Sequence, residues 1–207
     1  MRREEKDGII MANIITYVVG DHLYLNITNR CTNRCTFCIR DKDGGIGQDL
    51  WLENEPSTEE IIAAIGTADG YDEVVFCGYG EPLMRLPEVV AVSAYLKRIG
   101  KKVRINTNGQ ADLFWGRSVA NELKGLVDAI SISLNEENAQ KYQALCLSDY
   151  GEEAFDAVLK FAASCVPVIP EVILSVVDVI SEEAIRHCRQ LAEAAGATFR
   201  VRHLLGE

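Results

Sequence analysis

Residues 23–38 read LYLNITNRCTNRCTFC, an apolar run with β-strand character that leads directly into three closely spaced cysteines. Cys31, Cys35 and Cys38 are therefore expected just beyond the end of a buried strand. Three is an unusual number of thiol ligands, because a structural zinc site closes with four. A cubane iron–sulfur cluster held by three cysteines leaves one iron without a protein ligand. The pattern favours such a cluster, and a zinc site completed by a distant Cys or His is the alternative.

Strand-like and helix-like segments alternate along the rest of the chain. Residues 14–28 predict a hairpin, joined at Gly20-Asp21, whose second arm begins the core sheet. Ser57 and Ser181, each followed closely by glutamates, are typical N-caps of the intervening helices. The predicted core strands cover residues 23–28, 73–77, 102–107, 128–134, 171–177 and 198–202. We expect an α/β fold, a partial (β/α)6 TIM-like barrel of six parallel strands with an N-terminal hairpin; a doubly wound open sheet is the alternative.

Composition restricts the classes of function. The 207 residues are most simply one domain, placed over residues 13–207 after a charged, loose leader at residues 1–12. A net charge of −10 argues against general nucleic-acid binding. Seven cysteines in no even disulfide framework suit a reducing cytoplasm, and no stretch resembles a membrane span. The sequence therefore predicts a soluble, cytoplasmic protein.

Polar residues collect where the predicted strands end. Residues 78–82, GYGEP, follow the second strand; the glycines let the backbone approach a ligand, and Glu81 can accept hydrogen bonds from an ammonium group. Later strands end near Asn106, Ser133, Asn135 and Arg202. Sites in parallel α/β folds lie at the carboxyl ends of strands, so we expect these residues at one rim. For the later residues a plain strand end is the alternative, with Asn106 or its neighbour Asn108 as a cap.

Two of these motifs resemble those of the radical S-adenosylmethionine (SAM) superfamily. Cys31, Cys35 and Cys38, with the aromatic Phe37, match its CxxxCxxC signature, and residues 78–82 match its glycine-rich loop in a GxGEP form. The resemblance implies a 4Fe–4S cluster held by the three cysteines, with SAM chelating the fourth iron. It implies an enzyme in which SAM is cleaved reductively to methionine and a 5′-deoxyadenosyl radical, which abstracts hydrogen from a substrate.

The same resemblance implies a role for each residue around SAM. These residues are Phe37 near the adenine, Gly78, Gly80 and Glu81 at the methionine end, Ser133 and Asn135 at the ribose, and Arg202 near SAM. Asn106 joins them because it and Asn108 have the same side-chain parity on their strand, so that both could face the barrel interior. Strand alternation places Arg202 and His203 on opposite faces, and we expect Arg202 to be the one that points inward.

The small size and the GYGEPL variant resemble the short radical SAM proteins associated with TatD-family hydrolases, and also glycyl-radical activating enzymes. That likeness implies a flavodoxin- or ferredoxin-like electron donor and, as further partner, a TatD-family hydrolase or a protein substrate. The competing hypothesis is a non-enzymatic zinc- or iron–sulfur-binding module. The remaining cysteines show no spacing of an auxiliary cluster, so we expect them to be structural: Cys77, Cys146, Cys165 and Cys188.

Overall fold

The computed structural model describes residues 13–41 and 47–204, which form one seven-stranded sheet in which the strands follow chain order. The predicted leader at residues 1–12 lies outside the described residues. The first two strands pair antiparallel, and each later strand pairs parallel with the one before it. The strands are β1 (Thr16–Val19), β2 (His22–Leu25), β3 (Glu73–Phe76), β4 (Lys102–Thr107), β5 (Ala129–Ser133), β6 (Glu171–Val177) and β7 (Thr198–Arg202).

Helices connect the parallel strands. They are α1 (Thr58–Ile65), α2 (Leu86–Arg98), α3 (Ala111–Trp115), α4 (Ala139–Cys146), α5 (Glu153–Cys165) and α6 (Glu182–Ala194), with single 3₁₀ turns at Ile39–Asp41, Pro82–Arg85 and Ala120–Leu123. As predicted, Ser57 caps α1 through a capping box with Glu60, and Ser181 caps α6. No helix formed by the described part of the chain is long and apolar enough to cross a membrane.

The predicted partial barrel is confirmed: β2 to β7 are the six parallel strands, and β1 with β2 is the N-terminal hairpin. The sheet does not close, since β1 and β7 are its two edges. The doubly wound alternative is wrong, because such a sheet reverses its strand order at a switch point. The first core strand ends at Leu25 rather than at residue 28. The chain leaves the sheet at Asn26, whose side-chain amide donates to the carbonyl oxygens of Ile14 and Leu50.

Alternation along the strands separates two environments. One set of side chains, exemplified by Phe76, Ile105 and Ile130, is fully buried against the helices in the main core. The other set faces the concave side of the sheet and is largely polar; it includes Cys77, Arg104, Asn106, Ser131, Ser133, Ser175 and Arg202. A closed (β/α)8 barrel fills this space with layers of branched apolar side chains. Here the concave face is instead suited to a polar ligand.

Candidate active site

Cys31, Cys35 and Cys38 lie in the loop after β2, at the carboxyl end of the parallel strands, and each is a free, half-buried thiol. The loop is held against the end of α4 by backbone hydrogen bonds. The N–H groups of Arg34 and Thr36 donate to the carbonyl oxygens of Cys146 and Leu145, both at 3.0 Å, and Asp149 N–H donates to the Thr32 carbonyl at 2.8 Å. A segment distant in sequence therefore fixes the path of the cysteine loop.

N–H donors point at the sulfur atoms. The Asn33 backbone N–H lies 3.4 Å from Cys31 Sγ, and the side-chain amide nitrogen of Asn108 lies 3.7 Å from the same sulfur. The backbone N–H of Arg40 donates to Cys38. Burial nevertheless raises the pKa of Cys31 to about 12 and also raises that of Cys38. Without metal the thiols therefore hold their protons at neutral pH, and metal binding must displace them.

The donor set, three free thiols on one loop, is chemically compatible with an iron–sulfur cluster. Within residues 13–41 and 47–204, no three Cys, His, Asp or Glu side chains converge on one point as the ligands of a single ion do. A cubane cluster binds each cysteine to a different iron, so its three thiols lie farther apart than the ligands of a single ion. Hydrogen bonds from N–H groups to the ligand sulfurs are also among the features that tune such clusters.

The GYGEP loop needs its two glycines because it packs against residues 26–30 too closely for a side chain. A Cβ on Gly80 would lie 2.4 Å from the Thr28 carbonyl oxygen and 2.5 Å from that of Arg30. A Cβ on Gly78 would lie 2.2 Å from Asn26 Oδ1. The next residue, Glu81, donates its N–H to the Arg30 carbonyl oxygen at 2.7 Å. The glycine loop is thus packed directly on the segment that leads into Cys31.

The Glu81 carboxylate is buried and joins the loops after β3 and β4. It accepts hydrogen bonds from Leu83 N–H at 2.9 Å, from the Thr107 hydroxyl at 2.8 Å and from Asn108 N–H at 2.6 Å. Burial raises its pKa to about 7, although these hydrogen bonds favour the charged form. The contact of Glu81 with an ammonium group stays a prediction. What the geometry adds is that Glu81 positions Asn108, whose side chain reaches Cys31.

Arg202, Ser133 and Asn135 come together on the concave face. Arg202 Nη2 lies 3.1 Å from Ser133 Oγ and 3.5 Å from Asn135 Oδ1. Burial lowers the pKa of Arg202, and its Nε is buried without a hydrogen-bond partner among the described residues. His203, by contrast, points outward, with its side chain 91% exposed.

The two other SAM candidates lie apart from these contacts. The Asn106 side chain hydrogen-bonds Cys77, while its Oδ1 is buried without a partner. Phe37 is half-buried within the cysteine loop. The roles of the predicted SAM-binding residues therefore stay predictions. What the geometry provides is one rim that carries the cysteine loop, the glycine loop and the Arg202 group.

Sequence reasoning missed a buried polar network beneath the cysteine loop. Thr32 Oγ1 lies 2.7 Å from Gln110 Oε1 and 2.8 Å from Asn108 Nδ2. The Gln110 amide nitrogen donates to Asn33 Oδ1 at 2.8 Å and to the Tyr142 hydroxyl oxygen at 2.9 Å. These residues come from three separate segments, so no spacing along the chain could have grouped them. Polar residue types at buried positions would have been the only available signal.

The fold and this site define a class of protein. The family model of the radical SAM superfamily matches residues 25–194. The chain therefore belongs to the radical SAM superfamily, as the cysteine and glycine motifs indicate.

Three individual proteins show what the chain is similar to. GTP 3′,8-cyclase of Corynebacterium glutamicum is 32% identical over 141 residues, which are 63% of this chain and 35% of that protein. The structure of Streptococcus suis SuiB bound to S-adenosylmethionine gives a TM-score of 0.63 at 17% identity over 87% of this chain and 38% of SuiB. The structure of a radical SAM methyltransferase from Sphaerobacter thermophilus gives a TM-score of 0.58 at 14% identity, over 92% of this chain and 69% of the methyltransferase. The two structures establish the shared fold, and the chain spans about a third of the cyclase.

Replacing Gly80 with Ala tests the packing of the glycine loop. The added methyl group meets backbone oxygens on two residues, which no side-chain rotation can relieve. We expect a loss of about 3 kcal/mol in the free energy of unfolding, measured by denaturant titration of the metal-free protein. The matched control is Gly151→Ala, which has open space around the new methyl group and strains only a left-handed backbone, at a cost of about 1 kcal/mol. Equal losses in the two variants would contradict the packing argument.

The raised pKa of Glu81 predicts a pH dependence of stability. Between the ordinary carboxyl pKa of 4.5 and the folded value of about 7, the folded state holds the proton more tightly than the unfolded state. The wild type should therefore lose stability, relative to Glu81→Gln, as the pH rises through this range, by on the order of 3 kcal/mol, and the difference should be constant above it. Denaturant titrations of both metal-free proteins from pH 4.5 to 8 measure this. Parallel pH profiles would show that Glu81 titrates normally.

Proposed function

We propose that this chain is a radical SAM enzyme in which Cys31, Cys35 and Cys38 hold a 4Fe–4S cluster and SAM binds across the concave face. The observation that carries the proposal is the juxtaposition of three free thiols on one loop with a polar face on which Arg202 Nε is buried without a partner among the described residues. When bound, the cluster and SAM together supply reductive cleavage of SAM to methionine and a 5′-deoxyadenosyl radical, which abstracts hydrogen from a substrate. The protein's part is to bind, orient and exclude water.

The concave face offers complementary groups for SAM. Arg202 supplies a half-buried positive charge for the methionine carboxylate, and its buried Nε, which has no partner among the described residues, is available to donate to that anion. Asn106 Oδ1, buried and without a partner, supplies an acceptor for an ammonium or hydroxyl group. Ser133 and Asn135, which already contact Arg202, lie where ribose hydroxyls could exchange with that contact. The glycine loop supplies backbone groups at the methionine end, and Phe37 an aromatic surface for the adenine.

The proposed function also requires an electron donor and a further partner. Reductive cleavage requires an electron, which we assign to a flavodoxin- or ferredoxin-like donor. The GYGEPL variant supports a TatD-family hydrolase or a protein substrate as the further partner, and the seven free cysteines support a reducing, cytoplasmic location. We do not propose the substrate of the cyclase relative for this chain, because the chain spans only 35% of that protein.

The competing function is a zinc- or iron–sulfur-binding module without catalysis. Metal content and SAM turnover distinguish it from the enzyme. Anaerobic reconstitution with iron and sulfide should give equal amounts of both in the protein, a SAM-responsive spectrum of the reduced cluster and, with a strong reductant, 5′-deoxyadenosine. Cys35→Ala should abolish all three, because it removes a ligand. Cys165→Ala, a buried thiol of the α5 core, is the control and should retain them. Stoichiometric zinc without SAM cleavage in the wild type would refute the enzyme hypothesis.

Arg202→Met tests the assignment of the carboxylate contact. A charge-assisted hydrogen bond contributes roughly 1.5–3 kcal/mol, so the Kd for SAM should rise roughly 10- to 100-fold. Equilibrium dialysis of SAM against anaerobically reconstituted protein measures the Kd. Arg202→Lys should lose less affinity because it keeps the charge, and Arg98→Met, on the outer surface of α2, should lose none. An unchanged Kd in Arg202→Met would remove Arg202 from the SAM site while leaving the cluster assignment intact.

A further inference from the structure

A second guanidinium lies on the concave face, nearer the amino ends of the strands than the groups proposed to bind SAM. Arg104 faces the same way as Asn106, which is two residues nearer the carboxyl end of β4. The strand register pairs Arg104 with Ala129, which lies four residues before Ser133 on β5. Arg104 is therefore about 13 Å along the strand direction from the row of Ser133, which contacts Arg202. The two cations occupy separate parts of the face.

The Arg104 guanidinium has an unused donor. Its Nη2 atom lies 2.9 Å from Glu73 Oε2 and donates to the Tyr24 hydroxyl oxygen at 3.4 Å. Its Nε atom is buried and has no hydrogen-bond partner among the described residues. Buried polar groups normally have partners, and a guanidinium presents its N–H groups as a rigid fork that matches the oxygens of a carboxylate or phosphate. The free Nε–H is therefore a donor suited to an anion.

The concave face carries an excess of positive charge, although the whole chain has a net charge of −10. Among the strand residues, alternation places four cationic and two anionic side chains on this face: Lys102, Arg104, Arg200 and Arg202 against Glu73 and Glu171. The Glu73 carboxylate is shared, since His22 Nδ1 lies 3.6 Å from the oxygen that contacts Arg104. A cationic face in an acidic protein favours an anionic ligand.

SAM does not supply an anion for Arg104. The molecule has one carboxylate, and it also carries an ammonium and a sulfonium group. The proposed function assigns that carboxylate to Arg202, and the separation of the two rows prevents the same group from contacting Arg104. Bound SAM would therefore leave the Arg104 Nε–H without an acceptor and add positive charge to the face.

We propose that Arg104 binds a carboxylate or phosphate group of the substrate, so that the substrate class is a small organic anion. This inference rests on the proposed function, since it takes the carboxylate of SAM to be bound by Arg202. The anion displaces no partner from Arg104 Nε, but it shares the guanidinium with the Glu73 carboxylate, which competes with it. Because Arg104 lies away from the rim that carries the cysteine loop, the anionic group and the C–H bond that reacts are separate parts of the substrate.

The test follows the Nε–H group of Arg104 by NMR in the full chain, ¹⁵N-labelled and reconstituted anaerobically with its cluster oxidised. The Arg104 signal is the arginine Nε–H signal that disappears in Arg104→Lys. With SAM in excess, inorganic phosphate and succinate are added in separate titrations, and at least one of them should shift this signal to saturation. A lower Kd for one probe identifies the anionic group. The signal of Arg98, exposed on α2, is the control for ionic strength and should not saturate.

Two variants separate anion binding from the structural role of the ion pair. Glu73→Gln removes the competing carboxylate, so the Kd for the bound probe should fall roughly tenfold. Arg104→Gln combined with Glu73→Gln removes both charges together and leaves neither unpaired. Equilibrium dialysis should show binding weakened at least roughly tenfold in this double variant relative to Glu73→Gln, with the Kd for SAM unchanged. Thermal unfolding checks that both variants are folded.

Three outcomes would overturn the inference. A shift of the Arg104 signal no larger than that of Arg98 would show that neither anion binds there. Equal affinity for the probe in Glu73→Gln and in the double variant would place the anion elsewhere. Competition between SAM and the probe for the Arg104 signal would make Arg104 part of the SAM site.

Failure of the proposed function gives a different result. A wild type that takes up no cluster or does not bind SAM would refute that function. The response of Arg104 to phosphate and succinate can then still be measured in the metal-free protein, which keeps the two failures distinct.

Discussion

The contact between two backbone segments holds this site together. The glycine loop after β3 packs on the segment that leads from β2 into Cys31, so closely that Gly80 has room only for hydrogen, and the Glu81 N–H completes the contact by donating to the Arg30 carbonyl oxygen. Because backbone atoms lie on both sides, neither segment can shift without the other. The Glu81 carboxylate then extends the connection to Thr107 and to Asn108, whose side chain reaches Cys31. The cysteine loop and the glycine loop therefore hold each other in position.

Beneath that unit, burial of polar groups is matched by hydrogen bonds. Thr32, Asn33, Gln110 and Tyr142 are buried or nearly so, and their side chains satisfy one another across three segments. A network of this kind is stabilising only when every member has its partners, so it specifies a single arrangement of the cysteine loop. The concave face contrasts with it. Among the described residues, three of the five buried side-chain atoms without a partner belong to Arg104, Asn106 and Arg202 on that face. Unsatisfied groups concentrated on one polar face are what a binding surface requires before its ligand arrives.

Charge and protonation connect these features to metal binding. Burial holds the protons on the metal-free cysteine thiols, while the N–H groups of Asn33, Arg40 and Asn108 point at the sulfurs that would become anionic. Donors aimed at a sulfur before it carries charge need little rearrangement when it does. Cluster assembly should therefore release protons into a site whose hydrogen bonds already favour the thiolate form.

The order of apolar and polar segments determined the fold class, the hairpin and the six parallel strands, and β4, β6 and β7 have the predicted bounds. Local patterns suffice there because alternation and capping act over a few residues. The same reasoning placed the end of β2 three residues too late, because the Asn26 side chain hydrogen-bonds Ile14 and Leu50, and no local pattern predicts those contacts. Cysteine spacing and the glycine loop identified the family. That the glycines serve a backbone contact, that Glu81 bridges two loops and that the cysteine loop is hydrogen-bonded to the end of α4 were decided by the tertiary structure alone. Those contacts join residues 26 to 112 positions apart, and only the packing of the sheet and α4 brings them within hydrogen-bonding distance.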